Sequence, residues 1–552
     1  MKNKFTIGLD YGSNSVRGIA VDATNGKELA SFVFNYPSGE KGILLDKKDH
    51  QLARQNPADY ILGMEKVLGA LFAVLKKKKI PFDGLAGIGI DTTGSTPIPV
   101  DKKARALGLD PRFKKNLNAQ AWLWKDHTGL KEAAEITSLA AKMRPAYIAK
   151  CGNTYSSEWF WSKILHCLRV DPKVFEAAES WVECCDYIPA VLCGIDDPKK
   201  IRRSICAAGH KALFHTSWGG LPEKEFLGAL DPKLAPLRDR LFDKAHPSDM
   251  PAGEVSAYYL KKFGLGNRKI PVAVGAFDAH FGAVGSGVKE GTLVKIIGTS
   301  TCDITVGGAR TADIPGVCGV VPGSVIPGLT GVEAGQSAVG DILNWFVEKV
   351  CLEKDGYHGI LTREASALEP GQSGLLALDW NNGNRTILVD AELTGLLVGQ
   401  TLHSTRAEIY RALIEATAFG ARRIIERMSE YGVKVGEVVN CGGISQKNPL
   451  FMQIYADVIG KPMVIAPSLQ TCALGSAIFA SVVGGVYEDV GEAQKNMLVV
   501  PSKTYKPIPK NQKTYERLYR LYLSLHDGFG VKGSTGDLSA VMKALLEIKR
   551  GG

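Results

Sequence analysis

The chain has 552 residues, of which 45% are hydrophobic and 22% are charged, and its net charge is +10. This length exceeds one hydrophobic core and predicts two domains of roughly 250–300 residues each. The charge is modest for the length, and no interleaving of basic and aromatic residues supports nucleic-acid binding.

The cysteines and the apolar segments indicate the compartment. The 11 cysteines are scattered, without a Cys-x-x-Cys pair or a His/Cys metal spacing, which predicts reduced thiols in a cytoplasmic protein. The N-terminal residues lack an apolar signal core. Residues 462–487 are uncharged and long enough to span a membrane, but their polar residues, Pro and Gly predict a buried strand, a loop and a helix instead. We therefore expect no membrane association.

The first element in the chain is a predicted strand, turn and strand over residues 5–22. Backbone N–H groups, hydroxyls and a carboxylate gather at the turn, and this chemistry cradles phosphate oxygens and holds a hydrated Mg²⁺. A plain β-hairpin favours the same small polar residues, so the segment alone leaves both interpretations open. The residues concerned are Asp10, Gly12, Ser13, Ser15 and Arg17.

Residues 272–287, at the midpoint of the chain, combine an apolar run, a Gly-rich turn and one carboxylate, Asp278. Small residues follow the carboxylate, which predicts a close approach of two backbones and an active-site cleft between two domains. An Asp that caps the next helix is the simpler alternative.

The second half repeats the pattern of the first. Residues 292–308 are again predicted to form strand, turn and strand, and a further strand ending in a Gly loop occurs at 85–95 and at 438–445. These pairs indicate a duplicated α/β domain whose loops face each other. The second turn contains Gly298, Thr299, Ser300 and Thr301.

The clearest helix signal follows Gly442 and Gly443. Asn448 is the predicted N-cap, Pro449 the first helical residue and Gly460 the end of the helix. A Gly-Gly strand end before a capped helix suits the close approach of an adenosine, although tight packing of strand on helix would need the same glycines.

Two further residues are candidates for polar contacts. Lys211 offers a cation in a predicted short polar turn. Glu333 is predicted to lie on a loop, where solvated surface is the default, before a helix capped by Ser337. The chain contains no Gly-x-x-x-x-Gly-Lys-Ser/Thr loop, no protein-kinase motif pair and no Gly-x-Ser-x-Gly elbow.

The motifs at residues 10–17, 275–280, 297–301 and 441–448 together resemble the FGGY carbohydrate kinases. The likeness runs from about residue 4 to about residue 529. It implies an α/β fold of two actin/hexokinase-like (ribonuclease H-like) ATPase domains with the active-site cleft between them. We place the domains at 1–283, for the sugar and the first phosphate motif, and at 284–552, for the nucleotide.

The resemblance also implies roles for the candidate residues. Asp278 corresponds to the catalytic base, Lys211 and Glu333 to sugar contacts, and Gly94 to the floor of the sugar pocket. The first turn, with Asp10 near a Mg²⁺ held largely through water, and the second turn correspond to phosphate motifs. Gly442 and Gly443 correspond to the adenosine motif.

Within the family, the segments at residues 91–97, 124–128, 156–159 and 209–215 resemble ribulokinases. This implies ATP-dependent phosphorylation of the 5-hydroxyl of ribulose, L-ribulose first, in arabinose catabolism. D-Ribulokinase and xylulokinase activities are the alternatives within the class. A non-catalytic ATP- or sugar-binding regulator and an actin-type ATPase are the alternatives outside it. Monomer and homodimer both stay open.

Overall fold

The computed structural model describes residues 4–354, 356–500, 503–534, 538 and 541–549. The chain forms two compact units. The first comprises the described residues of Met1–Gly287, Gly319–Gly331 and Gln470–Val499, and the second those of Val288–Cys318, Val332–Leu469 and Val500–Gly552.

The strands are short, and most of them belong to two large sheets. In chain order they are Phe5–Tyr11 (β1), Ser15–Asp22 (β2), Glu28–Asn35 (β3), Leu44–Leu45 (β4), Ala53–Gln55 (β5), Leu85–Thr92 (β6), Pro97–Val100 (β7), Ala121–Trp122 (β8), Ser180–Glu183 (β9), Arg203–Ser204 (β10), Ala245–His246 (β11), Pro251–Glu254 (β12), Pro271–Ala273 (β13), Ala276–Phe277 (β14), Gly291–Ile297 (β15), Thr301–Gly307 (β16), Gly319–Pro322 (β17), Thr330–Ala334 (β18), Leu376–Leu378 (β19), Leu396–Val398 (β20), Val435–Cys441 (β21), Met463–Ile465 (β22) and Thr504–Tyr505 (β23).

The helices alternate with groups of these strands along the chain, and the last two helices follow β23. They are Pro57–Lys77 (α1), Leu130–Met143 (α2), Pro145–Ala149 (α3), Phe160–Val170 (α4), Pro172–Ala177 (α5), Cys184–Cys193 (α6), Ile205–Lys211 (α7), Lys224–Leu230 (α8), Leu234–Leu237 (α9), Ala257–Phe263 (α10), Asp278–Gly285 (α11), Gly340–Trp345 (α12), Tyr357–Ser366 (α13), Arg406–Glu430 (α14), Gly443–Lys447 (α15), Pro449–Ile459 (α16), Thr471–Val483 (α17), Val490–Met497 (α18), Pro509–Gly530 (α19) and Val541–Lys549 (α20).

Both units are built around the same three-strand arrangement. In the first unit β1 pairs antiparallel with β2 and parallel with β6, within a sheet of order β12-β13-β6-β1-β2-β3. In the second unit β15 pairs antiparallel with β16 and parallel with β21, and β22 and β23 continue that sheet. The predicted duplication of strand, turn and strand units is confirmed.

One helix from late in the chain belongs to the first compact unit. The sequence prediction assigns it to the second domain, residues 284–552. The helix is α17, and it packs on β1 and β6. Glycines make this contact possible, because a Cβ at Gly8 would lie 1.8 Å from the Ala473 carbonyl oxygen and one at Gly89 would lie 1.9 Å from that of Ser476. The strand backbones therefore touch the helix backbone directly. The compact units consequently do not follow the single boundary at 283/284.

The clearest helix prediction is confirmed in detail. Helix α16 has Asn448 as N-cap, whose side-chain oxygen accepts the Phe451 N–H at 3.0 Å, and it ends at Gly460 in the left-handed conformation. Residues 462–487 form β22, a loop and α17, as expected. Among the described residues, no helix is both long enough and apolar enough to cross a bilayer.

Candidate active site

Two carboxylates lie side by side at the ends of β1 and β6. Asp10 and Asp91 are register partners in this parallel pair, and both are buried. Oxygens of these two carboxyls and the thiol of Cys472 lie within 4.8 Å of one another. Burial raises the pKa of Asp10, and it raises the pKa of Asp91 well above the ordinary value, with the charge of Asp10 adding to the effect. Two acids forced together in this way hold a shared proton or a cation.

The two acids have different partners. Arg17 lies opposite Asp10 on β2, with its Nε 3.4 Å from a carboxyl oxygen of Asp10. Ser476 of α17 donates its hydroxyl hydrogen to Asp91 at 2.7 Å. Asp10 thus pairs with a half-exposed arginine, whereas Asp91 is fully enclosed.

The turn between β1 and β2 is closed by its own glycine. The Gly12 N–H donates to the Ser15 carbonyl oxygen at 2.9 Å, and the Ser13 hydroxyl accepts the Trp124 indole N–H at 2.9 Å. Within the described part of the chain, the N–H groups of Ser13 and Asn14 have no main-chain acceptor. The Gly12 N–H thus closes the turn, and the role of Gly12 toward a phosphate stays a prediction.

Asp278 is the first residue of α11, directly after β14, so it lies neither in a Gly-rich turn nor at the N-cap. The N-cap is Phe277, and the Asp278 carboxylate accepts the Ala279 N–H at 2.7 Å. Strand β14 pairs with β6 beside Asp91, and the charge of Asp278 contributes to the raised pKa of Asp91. Asp278 therefore belongs to the same cluster of acids as Asp10, and it is the most exposed of the three.

The loop after β6 is held from beneath by two buried charged residues. Lys163 of α4 donates to the carbonyl oxygens of Ser95 at 2.8 Å and Leu123 at 2.9 Å. Glu183 of β9 accepts the Ser95 hydroxyl hydrogen and the Thr96 N–H. Burial lowers the pKa of Lys163 to about 8 and raises that of Glu183. The pair fixes the loop that carries Gly94.

Gly94 and Lys211 both lie against aromatic rings. A Cβ at Gly94 would come within 1.9 Å of a ring carbon of Phe277, so only glycine fits there. Lys211 is the last residue of α7 and is buried, in contrast to the predicted polar turn. Its Nζ lies 5.0 Å from the ring centre of Trp159 and 5.9 Å from that of Phe277. An ammonium group over the face of an aromatic ring is attracted by the ring electrons.

The turn between β15 and β16, in the second unit, has a glycine hydrogen bond like that of the first turn, but different residues hold it in place. The Gly298 N–H donates to the Ser300 carbonyl oxygen at 2.9 Å, as Gly12 does to Ser15. The Thr299 carbonyl oxygen accepts the N–H groups of Val339 and Asp341 at 2.8 and 3.1 Å, which ties the turn to the start of α12. Val339 is the N-cap of α12, so the predicted cap at Ser337 is wrong.

Beneath this turn lies a buried ion pair. Lys295 of β15 places its Nζ 2.7 Å and 2.8 Å from the two carboxyl oxygens of Asp303 on β16. Thr301 belongs to β16 and is buried, and its hydroxyl accepts the Gln336 N–H at 2.9 Å. Gly298 and Thr299 are exposed, whereas Thr301 supports the turn from within.

Gly442 and Gly443 follow β21 as predicted, but a short helix replaces the expected loop. Gly442 has φ +98° and a Cβ there would lie 2.1 Å from the Ile297 carbonyl oxygen, whereas a Cβ at Gly443 would meet nothing within 4 Å. Glu333 lies on β18 and is buried, so the expectation of a solvated loop is wrong. The strand is short and has turn residues on both sides, at Gly328 and Gly335, so its sequence resembles a loop.

Several residues of the site were absent from the sequence prediction. They are Asp91, Lys163, Glu183, Lys295, Asp303 and Gln336. Asp91 had a visible signal, because it ends a buried strand as Asp10 does. The others are buried polar residues whose partners are distant in sequence, and no local pattern marks them.

Two family models match the chain. The N-terminal domain of the FGGY family of carbohydrate kinases matches residues 5–285, and its C-terminal domain matches residues 293–483. Among curated proteins, a ribulokinase of Vibrio parahaemolyticus is 43% identical over 543 residues, covering 94% of this chain and 95% of that protein. A ribulokinase of Halalkalibacterium halodurans is 41% identical over 568 residues, covering 100% of this chain and 99% of that protein.

Solved structures share the fold at lower identity. A xylulose kinase from Rhodospirillum rubrum has a TM-score of 0.78 at 23% identity, covering 95% of this chain and 99% of that chain. A Plasmodium falciparum glycerol kinase with ADP has a TM-score of 0.75 at 16% identity, covering 95% of this chain and 98% of that chain.

Proposed function

Because the chain belongs to the FGGY family of carbohydrate kinases, we propose that it transfers the γ-phosphoryl group of ATP to the 5-hydroxyl of ribulose, with L-ribulose as the preferred isomer. The full-length similarity to ribulokinases supports the substrate, and the position of Asp278 carries the proposal. A cytoplasmic place in arabinose catabolism accords with this activity.

Asp278 is the proposed general base. A primary hydroxyl is a poor nucleophile at neutral pH, and a carboxylate within hydrogen-bond reach that removes its proton accelerates the step by roughly 10²–10⁴. The Ala279 N–H donates to one carboxyl oxygen of Asp278 and so holds the carboxylate in a fixed position. The bond from the sugar oxygen to phosphorus then forms as the bond from phosphorus to the ADP oxygen breaks.

Of the proposed sugar contacts, Lys211 and Gly94 belong to the first unit and Glu333 belongs to the second. The ammonium of Lys211 donates hydrogen bonds to sugar hydroxyls, and the aromatic rings around it exclude water. Gly94 leaves room for the sugar above a loop that Lys163 and Glu183 hold rigid. Glu333, buried on β18, is proposed to accept a hydrogen bond from a further hydroxyl. A rigid pocket places the nucleophile without a further entropic cost at each turnover.

The phosphates are proposed to bind to the two turns. The N–H groups of Ser13, Asn14, Thr299 and Ser300 and the nearby hydroxyls suit phosphate oxygens, and Arg17 adds a positive charge. Gly442 and Gly443 are proposed to lie against the adenosine.

The residues present fit a Mg²⁺ ion, because Asp10 and Asp91 together offer the hard oxygen donors it prefers. When bound, the ion neutralises charge on the β- and γ-phosphates. Asp10 would hold it largely through water, with Asp91 beside it as the second oxygen donor.

The decisive experiment is the substitution Asp278→Asn. We expect the initial rate of ADP release with ribulose to fall by roughly 10²–10⁴, the contribution of a general base. Affinity for ATP, measured by calorimetry, and the thermal midpoint are expected to stay near wild type. Asp83→Asn, at an exposed acid of the same unit, is the matched control and should keep full activity. A folded Asp278→Asn enzyme with near-normal turnover would overturn the assignment.

A further inference from the structure

Behind the proposed sugar site, three side chains that favour soft metals meet in the interior of the first unit. Cys206 and His210 lie on α7 four residues apart, a His/Cys spacing that the sequence prediction missed, so they share one face of the helix. His280 lies on α11. All three are buried. One candidate ligand atom from each lies within 4.8 Å of the others, and the two imidazole rings have their centres 4.5 Å apart.

A serine from another part of the first unit contacts His210. The Ser324 hydroxyl lies 3.0 Å from Nε2 of His210 and also 3.0 Å from the Val321 carbonyl oxygen. This contact holds the imidazole ring in a fixed orientation, as the hydrogen-bond partners of metal-binding histidines do.

We propose that Cys206, His210 and His280 bind one thiophilic divalent cation, with Zn²⁺ as the expected ion. Zn²⁺ binds cysteine sulfur and imidazole nitrogen, and three protein ligands leave the fourth tetrahedral position to water. They are poor ligands for Mg²⁺, which prefers oxygen, so this site is chemically distinct from the one formed by Asp10 and Asp91.

The cation would connect two helices that the proposed reaction uses. Lys211 follows His210 at the end of α7, and Asp278 begins α11 two residues before His280. A metal bond between α7 and α11 would fix the separation of the proposed sugar contact and the proposed base. This consequence rests on the proposed function, whereas binding of the cation does not.

The test is a titration of the full-length chain with Co²⁺ after dialysis against a chelator. Co²⁺ replaces Zn²⁺ in such sites and reports a sulfur ligand through a charge-transfer band in the near ultraviolet. We expect the band to saturate at one Co²⁺ per chain, to disappear when Zn²⁺ is added and to persist when Mg²⁺ is added. Zn²⁺ should also raise the thermal midpoint, because it binds the folded state.

Two variants and one control locate the site. Cys206→Ser should abolish the band, and His280→Gln, which keeps the sulfur, should weaken Co²⁺ binding at least about tenfold. Cys167→Ser alters an equally buried cysteine on α4, outside the cluster, and should leave the band unchanged. If Cys206→Ser does not fold, the His280→Gln titration decides the question alone.

Two results would overturn the proposal: no band in the wild-type chain, or the same band and affinity in both cluster variants, which would indicate an adventitious ion only. Kinase assays separate this proposal from the proposed function. A chain that binds Co²⁺ as expected but phosphorylates no sugar would retain the cation site and refute the kinase assignment.

Discussion

The two turns proposed to bind phosphate have the same backbone hydrogen bonding, but the buried charged groups behind them differ. Each follows a buried strand, and each is closed by a glycine N–H that donates to a carbonyl oxygen at 2.9 Å. Behind the first turn two carboxyls lie together, with raised pKa values. Behind the second a lysine and an aspartate form a buried ion pair.

This difference suggests that the two turns contribute differently to ligand binding. A buried carboxyl pair carries unfavourable charge that a cation or a proton relieves, so we propose that the first turn binds a metal ion and is less stable without it. The buried ion pair is satisfied internally, so the second turn is rigid before any ligand binds. Four substitutions test this comparison.

The largest effect on stability is expected from Lys295→Met. The change leaves the Asp303 carboxylate buried without its counterion, and removing one partner of a buried pair costs about 3–5 kcal/mol. Urea denaturation should show a correspondingly lower midpoint. The double variant Lys295→Met/Asp303→Leu removes both charges and should recover most of the loss. Equal destabilisation in both variants would show that the ion pair itself is not the cause.

The substitution Asp10→Asn should act on activity and not on stability. We expect kcat/KM to fall about 10²-fold, equivalent to about 2.7 kcal/mol, and the Mg²⁺ concentration at half-maximal rate to rise. The denaturation midpoint should stay level or increase, because one of two adjacent buried acids becomes neutral. An unchanged Mg²⁺ dependence would contradict the role given to the first turn.

Gly442 supports the second turn from the neighbouring strand end. Gly442→Ala places a Cβ against the Ile297 carbonyl oxygen at φ +98°, and we expect a loss of about 1–3 kcal/mol. Gly443→Ala is the matched control, because a Cβ there meets open space. Equal midpoints for the two variants in thermal denaturation would disprove this packing.

The smallest effect is expected from Asp91→Asn, which should change how the free energy of unfolding depends on pH. The pKa of Asp91 is raised in the folded state above its ordinary value of 3.8. Between 3.8 and the raised pKa, the folded chain therefore binds more protons than the unfolded chain. The free energy of unfolding falls as the pH rises through this range. Asparagine does not titrate, so the variant does not lose stability in this way as the pH rises. Without Mg²⁺ or nucleotide, the variant should be more stable than wild type at pH 8 and no more stable near pH 4. Parallel pH profiles would contradict a raised pKa.

Local patterns were sufficient for elements whose determinants are close in sequence. The strand, turn and strand units and helix α16 were predictable because turn residues, an N-cap and a terminal glycine lie within a few residues of one another. The duplicated arrangement followed from comparing the two halves.

Long-range packing was not predictable in the same way. The buried strand of Glu333, the helical position of Lys211 and the place of α17 in the first unit depend on partners remote in sequence. Lys163 and Glu183 are separated by 20 positions from each other and by more from the loop they hold, so no spacing rule reveals them. The role of Asp278 itself came from resemblance, since an Asp after a strand usually caps a helix.

The most direct test of the central claim is ADP release with ATP and Mg²⁺ across a panel of L-ribulose, D-ribulose, D-xylulose, L-xylulose, ribitol and glycerol. The account predicts a clear preference in kcat/KM for L-ribulose, with negligible ADP release in the absence of sugar. Preference for D-xylulose or glycerol would contradict the proposed substrate, and release that no sugar stimulates would contradict the kinase assignment altogether.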